Sequence, residues 1–285
     1  MTVDSASLLP GWVGECAHPR LRCVTASFDN ARSLDFPGFQ RRVTEAYEAI
    51  FEQLDAGNSY CPVRFWAFVP GIHDDLGAGL DRYMAFNAGR YAAFTARFGR
   101  PASFDVSVPT GSAVGTGGDT FSLYCAAADE PGSPVENPRQ VSAYHYSRRF
   151  GPKPPCFARA TLLRGEGESL LLVGGTASIT GEDSRHLGAL DAQVYETFSN
   201  LASVVASATG RCLPENASAR ETEALLHTFR ELRVYYTSLA NKDALLALIR
   251  ATFPSRCRVE WIQALLCRRE LLVEIEGVAS LHTSS

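Results

Sequence analysis

Apolar and polar positions alternate most cleanly near the end of the chain, in Leu271-Leu272-Val273-Glu274-Ile275-Glu276-Gly277-Val278-Ala279. An extended strand sends successive side chains to opposite faces, so Val273 and Ile275 share one face and Glu274 and Glu276 the other. Two carboxylates on one face of an apolar strand have two readings. Either they are solvated on the outside of a sheet, or they point into a cleft where one is a candidate proton donor.

The same reading runs through both halves of the chain. In the first, Arg22 to Phe28 predicts a strand; after the breaker Pro37-Gly38, Phe39, Val43, Tyr47, Ile50 and Leu54 predict a helix. Cys61 to Val69 is an apolar strand ended by Pro70-Gly71, followed by a helix over about Ala78 to Phe98 and strands near Ser112 and at Thr120 to Ala127. Gly115-Thr116-Gly117-Gly118 precedes a strand rather than a helix, which predicts a hairpin turn and not a phosphate cradle.

The second half predicts strands at Cys156 to Leu163 and Ser169 to Thr176, joined by a Gly-Glu-Gly turn, then a helix over about Leu187 to Ala206. A polar insertion follows, then a strand marked by Leu232, Val234 and Tyr236. Next comes a helix Lys242 to Thr252 with Asn241 as its N-cap, and strands Arg258 to Leu265 and Leu271 to Ala279. Both halves read β-(β)-α-β-α-β-β. The pattern predicts an α+β protein made of two duplicated units, each a mixed sheet with helices packed on one side. Ala128 to Pro138, with three prolines and a glycine, reads as the linker, giving domains 1–138 and 139–285.

Composition narrows the function classes. The chain has 285 residues, 46% hydrophobic and 20% charged, with a net charge of −4, which is no footprint for nucleic acid. The first residues lack a basic start and a long apolar core, and no apolar run could span a membrane, so a cytoplasmic protein is expected. None of the eight cysteines has Cys-x-x-Cys spacing, so no metal site is signalled and reduced thiols are expected. Asn216-Ala217-Ser218 fits a glycosylation sequon, which has no meaning without secretion.

Several blocks carry a more specific signal. Arg64-Phe65-Trp66-Ala67-Phe68-Val69-Pro70-Gly71-Ile72, Tyr144 to Lys153, Pro155 to Ala160, Gly175 to Ile179 and Gly181 to His186 resemble, in order, segments of the chorismatase family. The closing strand pair, Phe253 to Cys257 through Leu272 to Ala279, resembles that of the RidA/YjgF fold. The resemblance covers about residues 60 to 280. It implies two tandem RidA/YjgF-like (chorismate mutase-like) units, with an N-terminal half shorter than is usual in the family. It also implies an enzyme that acts on chorismate and releases pyruvate without a cofactor.

The resemblance assigns roles. Glu274 stands at the family's catalytic glutamate, with Glu276 as its competitor. Cys267 and Gly181 lie where small residues tune whether water attacks or the ring rearranges, and this pair looks like the 3-hydroxybenzoate-forming branch; Ala177 is less decisive. Chorismate carries two carboxylates, which suit guanidinium forks, so Arg148, Arg149, Lys153, Arg159 and Arg185 are the cationic candidates. Arg148 and Arg149, if extended, face opposite ways, so one of them would contact ligand. Tyr144 and Tyr146 could bind a carboxylate or the ring hydroxyl, or be core tyrosines. Thr176 and Ala177 belong to Gly175-Thr176-Ala177-Ser178, which ends a strand ahead of a helix and so offers N–H groups and a hydroxyl to an anion. His186 is expected at the start of that helix without a ligand role, and Asp183, Ser184 and His186 are not a triad by adjacency alone.

Alternatives within the enzyme class are hydrolysis to 3,4-dihydroxycyclohexa-1,5-dienoate and formation of 4-hydroxybenzoate. Outside it stand a RidA-like imine or enamine deaminase and a ligand-binding relic of the fold. A monomer and a homo-oligomer, trimer included, both fit a tandem chain.

Overall fold

The computed structural model describes residues 21–56, 60–99, 101–214 and 217–282. Its chain forms two units with separate cores. The first runs to Gly132 and takes in Ala143–Ala158; the second comprises Ser133–Ser142 and the chain from Arg159 onward. The backbone thus changes unit three times, not once at the proline-rich stretch.

In the first unit the elements are β1 (Leu21–Phe28), α1 (Phe36–Asp55), β2 (Cys61–Pro70), α2 (Arg82–Phe98), β3 (Thr110–Thr116) and β4 (Phe121–Ala128). Pro37-Gly38 does not break α1 but lies in its first turn, where proline's missing N–H costs nothing, and Asp35 caps the helix by accepting the Gly38 N–H at 2.9 Å. Asp81 caps α2 in the same way through Met84, at 2.9 Å. The sheet order is β1-β4-β2-β3, with β2 and β3 parallel and the other pairs antiparallel. Because β3 and β4 are not neighbours, the Gly117-Gly118 segment crosses over β2 and is no hairpin turn. Phe65, Ala67 and Val69 face a helix-covered core with Phe39, Tyr47, Phe86 and Phe94. The opposite sheet face, with Arg64, Trp66, Phe68, Ser122 and Tyr124, is buried too.

The second unit holds β5 (Ser133–Val135), β6 (Ala160–Leu163), β7 (Glu168–Thr176), β8 (Ile179–Thr180), β9 (Asp183–Ser184), α3 (Leu190–Ala208), α4 (Ala219–Leu226), β10 (Phe229–Tyr236), α5 (Lys242–Thr252), β11 (Arg258–Gln263) and β12 (Val273–His282). The polar insertion contains α4, opened by a capping box between Ser218 and Glu221; Asn216 lies outside the described residues. Helix α5 begins after Asn241, whose side chain makes no capping bond. Strand β6 is shorter than expected: Ala158 donates to the Pro109 carbonyl and bridges Thr110, so the stretch before Arg159 extends the first sheet instead.

The second sheet has the order β11-β10-β12-β7-β6-β5. Without β5 and β6, β7-β12-β10-β11 repeats β1-β4-β2-β3 of the first unit, and the parallel pair β10/β11 matches β2/β3. Even a bulge recurs. Val63 is the extra residue where Pro62 faces Ala127 and Arg64 faces Ala126; Arg230 is the extra residue where Phe229 faces Ala279 and Glu231 faces Val278. The expected α+β duplication is therefore present at the level of register. It aligns Ser122 with Glu274, Tyr124 with Glu276, Trp66 with Arg233, and Phe68 with Tyr235.

Candidate active site

At one end of the second sheet β7 and β10 finish and β6 and β12 begin. There Ile275 pairs with Thr176, Glu274 with Tyr235, and Glu276 with Arg233. Val273 and Ile275 belong to the apolar core under α3. Alternation then sends Glu274 and Glu276 to the other face, as the sequence predicts, but that face is not solvated. Glu274 is 4% exposed and Glu276 3%. The two residues stand about 6.8 Å apart along the strand, and both side chains are removed from water, an environment that polar groups enter only with partners.

The backbone of β7 is irregular beside this pair: Ile275 faces Thr176 while Gly277 faces Val173, so one more residue of β7 than of β12 fits between them. Bulges of this kind re-aim neighbouring side chains. The Thr176 hydroxyl is committed to the Gly174 carbonyl at 2.9 Å, inside the bulge. Gly174 in turn donates to the Arg159 carbonyl at 2.8 Å, which brings Arg159 to the same end of the sheet. Arg159 precedes β6 instead of interrupting it; it is 6% exposed, and its guanidinium donates to the Val141 carbonyl at 2.8 Å.

After Thr176 the chain enters the β8/β9 hairpin, and α3 starts only at Leu190. The expected helix N-terminus behind Gly175-Thr176-Ala177-Ser178 is thus absent, and Ser178 donates instead to the Arg185 carbonyl at 3.0 Å. Buried Asn200 of α3 holds the segment, donating to the carbonyls of Ala177 (3.0 Å) and Ile179 (2.8 Å). Gly181 turns the hairpin at a φ of +61°, with its N–H on the Arg139 carbonyl. Arg185 is exposed, and His186 sits in the loop before α3 with a φ of +56°.

Cys267 lies on the connection from β11 to β12, half-buried. Its neighbour Arg268 ties that connection to the hairpin, donating through Nη1 to the Glu182 carbonyl at 2.9 Å and to Ser184 Oγ at 3.0 Å. Ser184 completes the tie with a bond to Glu270 at 2.7 Å. The segments bearing Gly181 and Cys267, far apart in sequence, are therefore fastened together.

The remaining expected ligand residues belong to the first unit. Tyr144 and Tyr146 are buried in aromatic contacts, Tyr144 edge-on to Phe104 and Tyr146 against Phe150. Arg148 and Arg149 open a 3-10 turn, Arg148–Phe150, so the extended geometry with opposite faces does not occur. Both are exposed, as is Lys153; Arg149 lies over the Phe150 ring and the Lys153 ammonium over that of Tyr91, at 5.2 Å.

Two residues escaped sequence reading. Tyr235, fully buried, donates its O–H to Glu276 Oε1 at 3.1 Å, and Arg233 pairs with Glu260 through Nε (2.8 Å) and Nη2 (2.7 Å). The signal was available: the apolar positions Leu232, Val234 and Tyr236 put Arg233 and Tyr235 on the face that Glu274 and Glu276 share. Among the described residues no cluster of three His, Cys, Asp or Glu could hold a metal ion, and no helix is long and apolar enough to cross a membrane.

Comparison with known proteins gives this geometry a family. A family model described as the N-terminal part of FkbO/Hyg5-like chorismatases matches residues 21–127. A 3-hydroxybenzoate synthase of Streptomyces hygroscopicus is 33% identical over 239 residues, covering 82% of this chain and 67% of the relative. A chorismatase of Streptomyces rapamycinicus is 31% identical, over 82% of this chain and 68% of its own. A chorismatase crystal structure superposes with a TM-score of 0.78 at 26% identity, covering 91% of this chain and 75% of the other. With a paired sheet end bearing buried carboxylates and two relatives more than 30% identical over 82% of its length, the chain belongs to the chorismatase family.

Proposed function

We propose that the protein converts chorismate to 3-hydroxybenzoate and pyruvate, with Glu274 delivering the proton that starts the reaction. The observation that carries the reading is the burial of Glu274 beside a second carboxylate, on the sheet face away from the apolar core. Cleaving the enolpyruvyl ether needs a proton on its terminal methylene: the Glu274 O–H bond breaks, a C–H bond forms, and positive charge develops at the ether carbon. A carboxylic acid in a water-poor site is the group suited to this step. Nothing in it requires a metal or a nucleotide.

Product choice rests on what happens next. Chorismate holds the atoms of 3-hydroxybenzoate and pyruvate with none left over, so that route takes up no water. Hydrolysis to 3,4-dihydroxycyclohexa-1,5-dienoate adds one. The fastening of the Cys267 connection to the Gly181 hairpin favours the aromatic product, because a fixed wall admits less water to the reactive carbon. The relative named for 3-hydroxybenzoate synthesis supports the same choice. We place the reaction in the cytoplasm, on a free small-molecule substrate.

The test is incubation of the purified protein with chorismate and a chelator, followed by chromatography. Pyruvate with 3-hydroxybenzoate is the expected result. Pyruvate with the non-aromatic diol would overturn the branch, and the absence of pyruvate would overturn the enzyme reading.

A further inference from the structure

We infer that Glu196 of α3 and Arg268 of the β11–β12 connection are specificity-determining positioning residues, which hold the β8/β9 hairpin from its two sides and so keep water off the reacting ether. The inference rests on the reaction proposed above and names residues that decide between its two products. Both act on the reaction only through the hairpin that carries Gly181.

The hairpin cannot place itself. Its strands, Ile179–Thr180 and Asp183–Ser184, pair over two residues each. An isolated two-stranded hairpin is marginal in water even when its strands are longer. Its position therefore comes from bonds to segments outside it, all within the second unit. On the β8 side, the Ile179 carbonyl accepts from Asn200 at 2.8 Å and from Gln140 Nε2 at 3.0 Å. At the turn, Gly181 donates its N–H to the Arg139 carbonyl at 2.8 Å and accepts that of Val141 at 3.0 Å. On the β9 side, Arg268 holds the Glu182 carbonyl and the Ser184 hydroxyl, and Glu270 holds Ser184 as well.

Glu196 is the key on the β8 side. Its Oε1 accepts from Thr180 Oγ1 at 2.9 Å and from Arg139 Nη2 at 2.5 Å. With the Gly181 N–H on the Arg139 carbonyl, these bonds close a ring through Thr180, Glu196, Arg139 and Gly181. The His186 ring stands 3.8 Å from the other Glu196 oxygen. Glu196 and Arg139 are 14% and 19% exposed, so solvent screens this pair less than a surface one. The segment that Glu196 steadies also bears the Val141 carbonyl, which takes the Arg159 guanidinium at 2.8 Å. One strap thereby sets both Arg159 and the hairpin, next to the sheet end where Thr176 pairs with Ile275.

The duplication supplies an independent argument. In the first unit β1 takes the place of β7, and residues 29–35, with a single 3-10 turn, lead from it to α1. In the second, residues 177–189 make the same link to α3 and include the hairpin. The fold closes without a hairpin there, so this one is an addition to the repeat that bears Glu274. The products show what it is for. In hydrolysis, water adds to the cationic ether carbon, one of its protons returns to Glu274, and the other passes to the ring oxygen as the ether bond breaks. The aromatic route takes up no water, so a hairpin fixed from both sides favours it.

The experiment is chromatography of the products formed from chorismate by the wild type and by Glu196→Ala, Arg268→Met, Arg268→Lys and Arg97→Ala. The readout is the ratio of the non-aromatic diol to 3-hydroxybenzoate, which a smaller folded fraction does not change. Glu196→Ala and Arg268→Met should each raise it about tenfold, the factor that one or two lost hydrogen bonds supply. Arg268→Lys, which keeps a donor, should restore it part of the way, and Arg97→Ala in the first unit should leave it as it was. Should Glu196→Ala or Arg268→Met not fold, Thr180→Val or Ser184→Ala removes the hairpin's half of the same contact and should raise the ratio too. A wild type that makes 3-hydroxybenzoate, with a ratio unmoved in these variants, overturns this inference alone. A wild type that releases no pyruvate, or makes only the diol, overturns the reading beneath it and this inference with it.

Discussion

The side-chain carbonyl of Gln193 accepts the backbone N–H of Leu272 at 2.8 Å, one residue before β12 begins. Its amide donates on to the carbonyls of Glu270 (3.0 Å) and His186 (3.3 Å). One fully buried side chain at the start of α3 therefore fixes the approach to the strand that carries Glu274. Gln193→Ala strands the Leu272 N–H and two carbonyls, and the expected cost is about 2–4 kcal/mol. A urea denaturation midpoint shifted accordingly, with pyruvate release reduced in the folded protein, is the predicted pair of results. An unchanged midpoint would mean the three bonds contribute little.

Glu274→Gln keeps shape and removes the transferable proton. Loss of a general acid lowers rate by roughly 100- to 10,000-fold. Pyruvate release should fall within that range while the melting temperature holds. A loss under tenfold would assign the proton to another group.

Gly277 lies where β12 passes the bulge of β10. A Cβ there would sit 2.3 Å from the Glu231 carbonyl oxygen and 3.0 Å from the Leu232 side chain. The first obstacle is backbone and cannot swing away, so Gly277→Ala should destabilise by about 3 kcal/mol. Gly117→Ala, with nothing within 4 Å of its Cβ, is the control and should change stability by less than about 0.5 kcal/mol. Equal denaturation midpoints for the two variants would refute the steric argument.

Thiol reactivity should sort by burial. Burial pushes the Cys257 thiol up to about 12, with the Glu231 charge adding to it, and Cys125 is raised well above the ordinary thiol value by burial as well. Cys212 is exposed. Maleimide labelling of the native protein at about pH 8, where only the thiolate reacts, should modify Cys212 and spare Cys125 and Cys257, as read by peptide mass mapping. Early modification of Cys257 would contradict its placement.

Arg97 forks onto Asp55 with bonds of 2.6 and 2.8 Å, which holds the Asp55 carboxyl below its ordinary value. A depressed carboxylate contributes stability above its unfolded value and loses it as pH falls through the folded one. Both partners are substantially exposed, so screening limits Arg97→Ala to about 0.5 kcal/mol at neutral pH. That difference should vanish when denaturation is repeated below the usual aspartate range, or in high salt. A difference that survived acidification would have to come from packing of Arg97 on the Phe51 ring, 5.3 Å away.

Period-two and period-3.6 patterns were enough to read the α+β duplication, the positions of most elements and the pairing of Glu274 with Glu276 on one face, because those depend on local geometry. Where a residue's surroundings come from elsewhere in the chain, the pattern was silent. Pro37 could act as breaker or first-turn residue, and the Asp35 cap decided it. Arg159 read as a strand residue until the preceding segment paired with β3. Gly115 to Gly118 read as a hairpin because sequence neighbours usually pair, whereas β4 inserts between β1 and β2.

The candidate site divides along the same line. Alternation by itself determined that Glu274 and Glu276 share a face, and it could have put Arg233 and Tyr235 on that face as well. Only the tertiary structure decided that this face is buried and that the Tyr235 proton goes to Glu276. It also decided that Arg268 joins the Cys267 connection to the Gly181 hairpin. A side chain's direction along a strand is set by the backbone it belongs to. Its solvent and its hydrogen-bond partners are set by strands that lie dozens of residues away, as Tyr235 does from Glu276, and no local pattern encodes them.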